Sequence, residues 1–249
     1  MRPYFDRYSG HPQKAIRHYS LNIRLAESLV PSLSVFEVTL RNSLIRELER
    51  MAGRKEWYIR FKKHPALKSL YKYIITASQH IRARGEDISA DKINGELTLG
   101  FWVSLFNAEY EKYLWKDLRR AFPYLPKTNR KRKTISAPLN AVRSLRNRVF
   151  HNESISWSLV HLASLHRLII QVIDWMNPQV SVWLTHIDRF NYVSRHSGRN
   201  RFGVWNNLCR IFIQNRRDTG ERQDYPFRTA MHSISTSQPG RQTGAWRSR

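Results

Sequence analysis

The segment Leu139-Asn-Ala-Val-Arg143-Ser-Leu-Arg146-Asn147-Arg148-Val149-Phe150-His151-Asn152-Glu153 combines a helical repeat with a group of polar side chains. Asn147 and His151 are four residues apart, so on a helix they share one face within side-chain reach. The amide can then hydrogen-bond one imidazole nitrogen and leave the other free to transfer a proton. The apolar residues recur every three or four positions and predict the buried face of the same helix: Leu139, Val142, Leu145 and Val149.

Arg146 completes the candidate site, but it lies about 140° around an ideal helix from His151. The two side chains therefore do not easily meet on one phosphate within a single chain. A bent helix end, or a second chain across a two-fold axis, would bring them together. In isolation this spacing of arginine, amide and histidine is most often a solvated helix face, so its chemistry depends on the rest of the chain.

Helical periodicity on both sides of this segment predicts an all-α fold. We expect Pro31 to separate one helix over residues 15–29 from a second that ends near Gly53. The motif helix is expected to begin with Ser136 as its cap, and residues 157–176 form the most strongly apolar helix.

The chain divides into three parts. Residues 1–14 are polar and aromatic, with two prolines, and predict an irregular N-terminal arm. Residues 15–190 form the helical domain. Residues 191–249 are rich in arginine and lack periodicity, so we expect a tail of low order that folds only on binding.

Charge is the strongest signal in the composition. The 249 residues carry a formal net charge of +24, which indicates a polyanionic partner. RNA, DNA and an anionic membrane surface are all compatible with it. The single cysteine, Cys209, fits a reducing compartment, and neither a membrane-spanning run nor a secretory signal is found, so a cytoplasmic location is expected.

Two basic segments are candidate nucleic-acid surfaces. Residues 54–66 alternate aromatic and cationic side chains, which suits base stacking but more often reflects packing at the edge of a core. The acid-free segment just before the motif helix is either a solvated charge run or a phosphate-steering surface. Its cations are Lys127, Arg130, Lys131, Arg132 and Lys133.

Four pieces of sequence, the last of which contains the motif, follow one another in a fixed order. These are Phe36–Asn42, Glu96–Phe106, Leu114–Pro123 and Ile135–His151. Together, over roughly residues 15 to 185, they resemble the Abi-like family of bacterial abortive-infection proteins (AbiD and AbiF type). Arg146 to His151 resembles the R-x4-H signature of HEPN ribonucleases. Members often carry a second histidine and a proline after the motif histidine, where this chain has Asn152 and Ser154. These departures leave the arginine and histidine of the motif in place but bear on proton shuttling or on the local turn.

The resemblance implies a HEPN-like helical bundle with additional helices, acting as a homodimer in phage defence or as a toxin with an RNA or protein antitoxin. It implies that Arg146, Asn147 and His151 are catalytic. Glu37, Arg41, Asn42 and Arg143 would be supporting residues. Glu37 and Arg41 could otherwise be a weak ion pair on the helix surface, because they are four residues apart.

The sequence lacks the residues that several other catalytic mechanisms require. It has no His/Cys cluster with zinc spacing, no close set of carboxylates and no phosphate-binding glycine loop, so no metal or cofactor is expected. RNA supplies its own nucleophile, the 2′-hydroxyl, so the HEPN resemblance implies metal-independent endoribonuclease chemistry by transesterification. The alternative is a non-catalytic RNA-binding module regulated by, or regulating, a partner RNA or protein. A peripheral membrane protein ranks last, because the cations are spread over several segments.

Overall fold

Eleven α-helices and no β-strand make up the part of the chain that the computed structural model describes, residues 2–9 and 11–196. This confirms the predicted all-α class. The helices are α1 (Arg2–Arg7), α2 (Pro12–Ala52), α3 (Ile59–Lys63), α4 (Lys68–Ala83), α5 (Ala90–Glu96), α6 (Leu99–Ser104), α7 (Glu111–Leu118), α8 (Arg132–Phe150), α9 (Leu159–Met176), α10 (Pro178–Leu184) and α11 (Phe190–Arg195).

The longest helix, α2, runs unbroken through Pro31, so the predicted division into two helices was wrong. A proline inside a helix removes one backbone hydrogen bond and costs about 3 kcal/mol. On either side of it, however, Leu29 and Leu33 are buried in the core. Because each such side chain stabilises the fold by about 1.5–3 kcal/mol, continuing the helix outweighs the local cost. The helix ends as predicted at Gly53, whose φ of 69° is the left-handed conformation that glycine adopts readily.

The core forms where α2 packs against α8 and α9, with α6, α7 and α11 completing its surroundings. The aromatic residues of the segment 54–66 belong to this core: Trp57 and Phe61 are fully buried, while Arg60, Lys62 and Lys63 are exposed. The packing interpretation of that segment is thereby confirmed. Trp57 also donates its indole N–H to Oδ1 of Asn94 on α5 at 3.0 Å.

The N-terminal arm is not irregular as predicted. Residues 2–7 form α1, and helical structure resumes at Pro12. Tyr4 is buried and stacks on the ring of Trp157, with ring centroids 5.0 Å apart. Burial of this aromatic surface holds the arm against the domain, an effect that the polar composition of the arm conceals.

The motif helix α8 begins at Arg132, four residues before the predicted cap at Ser136. Its buried stripe starts one turn earlier than expected, because Ile135 is fully buried together with Leu139 and Val142. Arg132 fixes this first turn by hydrogen bonds to Glu111 and to the backbone carbonyl of Phe106.

The last described helix extends past residue 190. α11 reaches Arg195, so the first residues of the predicted tail are helical. The rest of that tail, from residue 197 onward, lies outside the described residues, as does Cys209. Among the described helices, none is long and apolar enough to cross a membrane.

Candidate functional site

His151 directly follows Phe150, the last residue of α8, and is exposed to solvent. Asn152 follows in the left-handed conformation, with φ 55°. The amide of Asn152 donates to the carbonyl of Val149 at 3.3 Å, and the amide of Glu153 donates to that of Arg148 at 2.9 Å. These two bonds form a Schellman motif, which fixes the direction of the chain at a helix end. The predicted helix stop at Asn152 is confirmed, and His151 has a defined backbone position.

The loop after His151 is tied to α2 by one buried amide, Asn22. Its Oδ1 accepts from the amides of Ile155 and Ser156, at 2.8 and 3.1 Å. Its Nδ2 donates to the carbonyl of Glu153 at 3.1 Å. The Arg148 guanidinium adds a hydrogen bond to the carbonyl of Ser154. The end of α8 is therefore anchored to the opposite helix by polar contacts.

Asn22 was not predicted as a site residue. It lies three positions before Leu25 and seven before Leu29, in register with the buried stripe of α2. A single amide in such a register is the signal that could have identified it, because buried polar groups are almost always hydrogen-bonded.

The side chains of Asn147 and His151 make no hydrogen bond to each other in the described structure, although their spacing permits one. Both are exposed, and only the backbones are joined, by the His151 amide donating to the Asn147 carbonyl at 2.8 Å. No hydrogen bond or ring contact within residues 2–196 engages the His151 imidazole. It is free to meet a ligand or a second chain.

Arg146 is held between two groups. Its Nε lies 3.5 Å from Oε2 of Glu37 on α2, and its guanidinium lies over the ring of Phe150, 4.5 Å from the centroid. The Arg146 side chain is 32% exposed and that of Glu37 25%. The carboxylate and the ring restrict where the guanidinium can point while leaving part of it open to solvent.

The structure pairs Glu37 with Arg146 rather than with Arg41. No ion pair within the described residues joins Glu37 to Arg41, so the surface-pair interpretation fails and Glu37 contacts the motif helix. Arg41 and Asn42 instead line a cleft of about 360 Å³ between α2 and α5. Arg143, half-buried on α8, makes no hydrogen bond or ion pair in the described part of the chain.

The basic segment 127–133, whose last two residues begin α8, contains two kinds of cation. Arg130 donates to the carbonyls of Pro123 and Leu125, and the Arg132 side chain is only 12% exposed in its contacts with Glu111 and Phe106. These two arginines fix the protein's own backbone. Lys127, Lys131 and Lys133 are exposed and are the members of the segment that can meet a polyanion.

No family model, curated protein or solved structure matches this chain. The resemblance to Abi-like and HEPN proteins therefore remains a hypothesis drawn from its residues, and the geometry carries the functional argument.

A second histidine touches the loop behind the site. Nε2 of His18 lies 3.4 Å from the carbonyl oxygen of Ser156, and Nδ1 lies 3.1 Å from the hydroxyl of Tyr8. Burial lowers the pKa of His18, with a smaller contribution in the same direction from the charge of Arg7, against the opposing effect of the Ser156 carbonyl. This imidazole is part of the packing that supports the loop.

The titratable groups do not assemble a metal centre in the described structure, where no three His, Cys, Asp or Glu side chains come together. The most buried titratable pair, His166 on α9 and Asp188, has Nε2 and Oδ2 2.6 Å apart and side chains 4% and 9% exposed. Burial pushes the pKa of Asp188 upward, but the His166 hydrogen bond and the Phe190 amide outweigh it and lower the pKa overall. Because His166 also stacks on Phe190, the pair is a structural contact between α9 and α11.

Proposed function

We propose that this protein is a metal-independent endoribonuclease, of the kind that acts in phage defence or as a toxin restrained by an antitoxin. One observation carries the proposal. A partly exposed guanidinium, restrained by Glu37 and Phe150, and an unengaged imidazole on a fixed helix end lie on the last two turns of one helix. The net charge of +24 supplies the attraction for a polyanion.

The chemistry uses the ribose itself. His151 would take the proton of the 2′-hydroxyl, whose oxygen attacks the adjacent phosphorus while the 5′-oxygen leaves and takes a proton from an imidazolium or from water. Arg146 would stabilise the negative charge on the pentacoordinate phosphorus. The products are a 2′,3′-cyclic phosphate and a 5′-hydroxyl, and DNA, which lacks the nucleophile, is not cleaved.

In this proposal, the site is complete only when two chains pair. Within one chain the described structure shows no contact between the side chains of Arg146 and His151. A two-fold arrangement of α8 helices would place the histidine of one chain near the arginine of the other. Phe150, which is 47% exposed beside Arg146, supplies apolar surface for such a contact.

A non-catalytic RNA-binding module is the second candidate, and one observation favours it. Catalytic histidines are usually oriented by a neighbouring side chain, whereas none binds His151 in the described structure. A chain that stays monomeric would bind RNA through its charge without cleaving it.

The deciding experiment incubates pure protein with end-labelled RNA in EDTA. We expect cleavage by the wild type, a loss of about 10²–10⁴-fold in His151→Ala and no loss in the matched control His161→Ala, which removes an exposed histidine from α9. RNA binding and thermal stability should be retained in both variants. Cleavage by His151→Ala at the wild-type rate would refute the assignment.

The biological side of the proposal is tested in a bacterial host. Expression of the wild type should arrest growth and fragment RNA, and expression of His151→Ala should do neither. Growth arrest with intact RNA would point to the binding module instead.

A further inference from the structure

The cleft between α2 and α5 adjoins the candidate site. Its walls include Arg41, Arg46 and Glu49 from α2, and Asp91, Asn94 and Gly95 from α5. Arg41 is one helical turn, about 5.4 Å, from Glu37, the residue that contacts Arg146. A cleft of about 360 Å³ falls within the range of small-ligand pockets.

Three charged side chains that line this cleft, those of Arg41, Glu49 and Asp91, make no hydrogen bond or ion pair with any described residue. Arg46 touches only the buried carboxylate of Glu47, at 3.5 Å. The cleft thus holds charges of both signs, and no ion pair among the described residues joins its arginines to Glu49 or Asp91. A ligand that presents acceptors to the arginines and donors to the carboxylates would bridge them.

The floor of the cleft adds a donor of fixed orientation. Asn94 is 5% exposed, and its Oδ1 accepts the indole N–H of the fully buried Trp57. Because an indole nitrogen can only donate, the oxygen of Asn94 must face it. The Nδ2 of Asn94 has no hydrogen-bond partner in the described structure and is left for a ligand.

We propose that this cleft recognises a guanine base of single-stranded RNA beside the phosphate that is cleaved, an inference that rests on the proposed ribonuclease function. Guanine presents O6 and N7 as adjacent acceptors, which suit an arginine, and N1–H and N2–H₂ as adjacent donors, which suit a carboxylate. A phosphate alone would be repelled by Asp91 and Glu49. Adenine and the pyrimidines lack the paired donors for a carboxylate.

The test measures binding of pentaribonucleotides by the full-length His151→Ala protein, which leaves the RNA intact. The probes are UUGUU, UUAUU and the inosine analogue, which lacks only the 2-amino group. We expect UUGUU to bind at least about tenfold more tightly than the other two. Asp91→Asn should remove this preference, and Asp87→Asn, an exposed acid outside the cleft, should keep it.

Folding of each variant is checked by thermal unfolding, and Arg41→Gln replaces Asp91→Asn if the latter does not fold. Equal binding of the three probes by the parent protein overturns the proposal, as does an unchanged preference in the cleft variant.

Mapping the cuts made by the wild type separates this inference from the proposed function. Cleavage without a guanine next to the cut sites would overturn guanine recognition but support the ribonuclease function. A guanine preference in binding without any cleavage would support guanine recognition by the cleft and overturn the ribonuclease function.

Discussion

Oε2 of Glu37 lies 3.5 Å from Nε of Arg146, and that nitrogen is shielded from solvent without a hydrogen-bond partner. The pair joins α2 to the last turns of α8 by charge attraction rather than by a well-formed hydrogen bond. A ligand phosphate at this position would compete with the carboxylate for the same guanidinium. Glu37 therefore restrains Arg146 and also opposes part of its charge.

Glu37→Gln separates these two effects. It keeps the shape of the side chain but removes the charge that holds Arg146, so RNA binding should stay equal or strengthen. Cleavage should fall by about 10²-fold in single-turnover rate, because small displacements of a positioning group cost that much. Glu27→Gln is the matched control, since Glu27 is also on α2 and forms an exposed ion pair with Arg189. Unchanged cleavage in Glu37→Gln would show that Glu37 does not position Arg146.

Asn22→Ala tests how the end of α8 is held. The change leaves the buried amides of Ile155 and Ser156 without their acceptor. At about 1–3 kcal/mol for each of the two unsatisfied groups, we expect a loss of about 2–6 kcal/mol in the free energy of unfolding, measured by denaturant titration.

Asn42→Ala serves as the control for Asn22→Ala because it removes an exposed amide from the same helix, and it should change stability by less than about 0.5 kcal/mol. Hydrogen exchange over residues 151–156 should accelerate only in Asn22→Ala. Similar exchange in the two variants would mean that the loop does not depend on this amide.

The sequence predicted those features that depend on local spacing. The apolar stripe of α8, the end of α2 at Gly53 and the stop at Asn152 follow from periodicity and from residues that tolerate positive φ. It did not predict that α2 continues through Pro31, because burial of the flanking leucines overrides a local preference. The polar composition of residues 1–14 likewise did not predict helix α1, whose Tyr4 is buried against Trp157.

Within the candidate site, contacts between distant residues escaped local analysis. Helical spacing offered Arg41 as the partner of Glu37, whereas the packing of α2 against α8 brings Arg146 to it. In the sequence, Arg130 and Arg132 belong to a basic run with no acid, which is typical of cations free to bind a polyanion. In the structure, each donates instead to backbone carbonyls of preceding segments. The partner of each charged side chain depends on which chain segments pack against it, and spacing along the sequence does not contain that information.

The His166–Asp188 contact predicts how stability responds to acid. The folded pKa of Asp188 lies below its unfolded value, near 3.9, so the stabilisation is complete above about pH 4 and is lost as the pH falls through the lowered folded pKa. Asp188→Asn should lower the free energy of unfolding by about 1–3 kcal/mol at pH 7. The difference from wild type should shrink below pH 4 in denaturant titrations.

Asp87→Asn is the control for this pH series, because Asp87 is exposed and makes no hydrogen bond or ion pair in the described structure. Its difference from wild type should stay within about 0.5 kcal/mol at every pH. A gap between wild type and Asp188→Asn that persists at pH 3 would assign the loss to packing rather than to the charge.

Replacement of Lys127, Lys131 and Lys133 by glutamine tests whether RNA approaches along the segment 127–133, which leads into α8. Each phosphate contact in a single strand contributes about 0.7 to the slope of log K against log salt, so the triple variant should lose about 2 from that slope. The matched triple variant Lys55, Lys62 and Lys63→Gln removes the same charge from exposed positions elsewhere and should lose less. Arg132→Gln should instead lower thermal stability, because its guanidinium binds Glu111 and the Phe106 carbonyl. Equal losses of slope in the two lysine triples would mean that RNA responds to the net charge of the whole protein and not to a surface leading to α8.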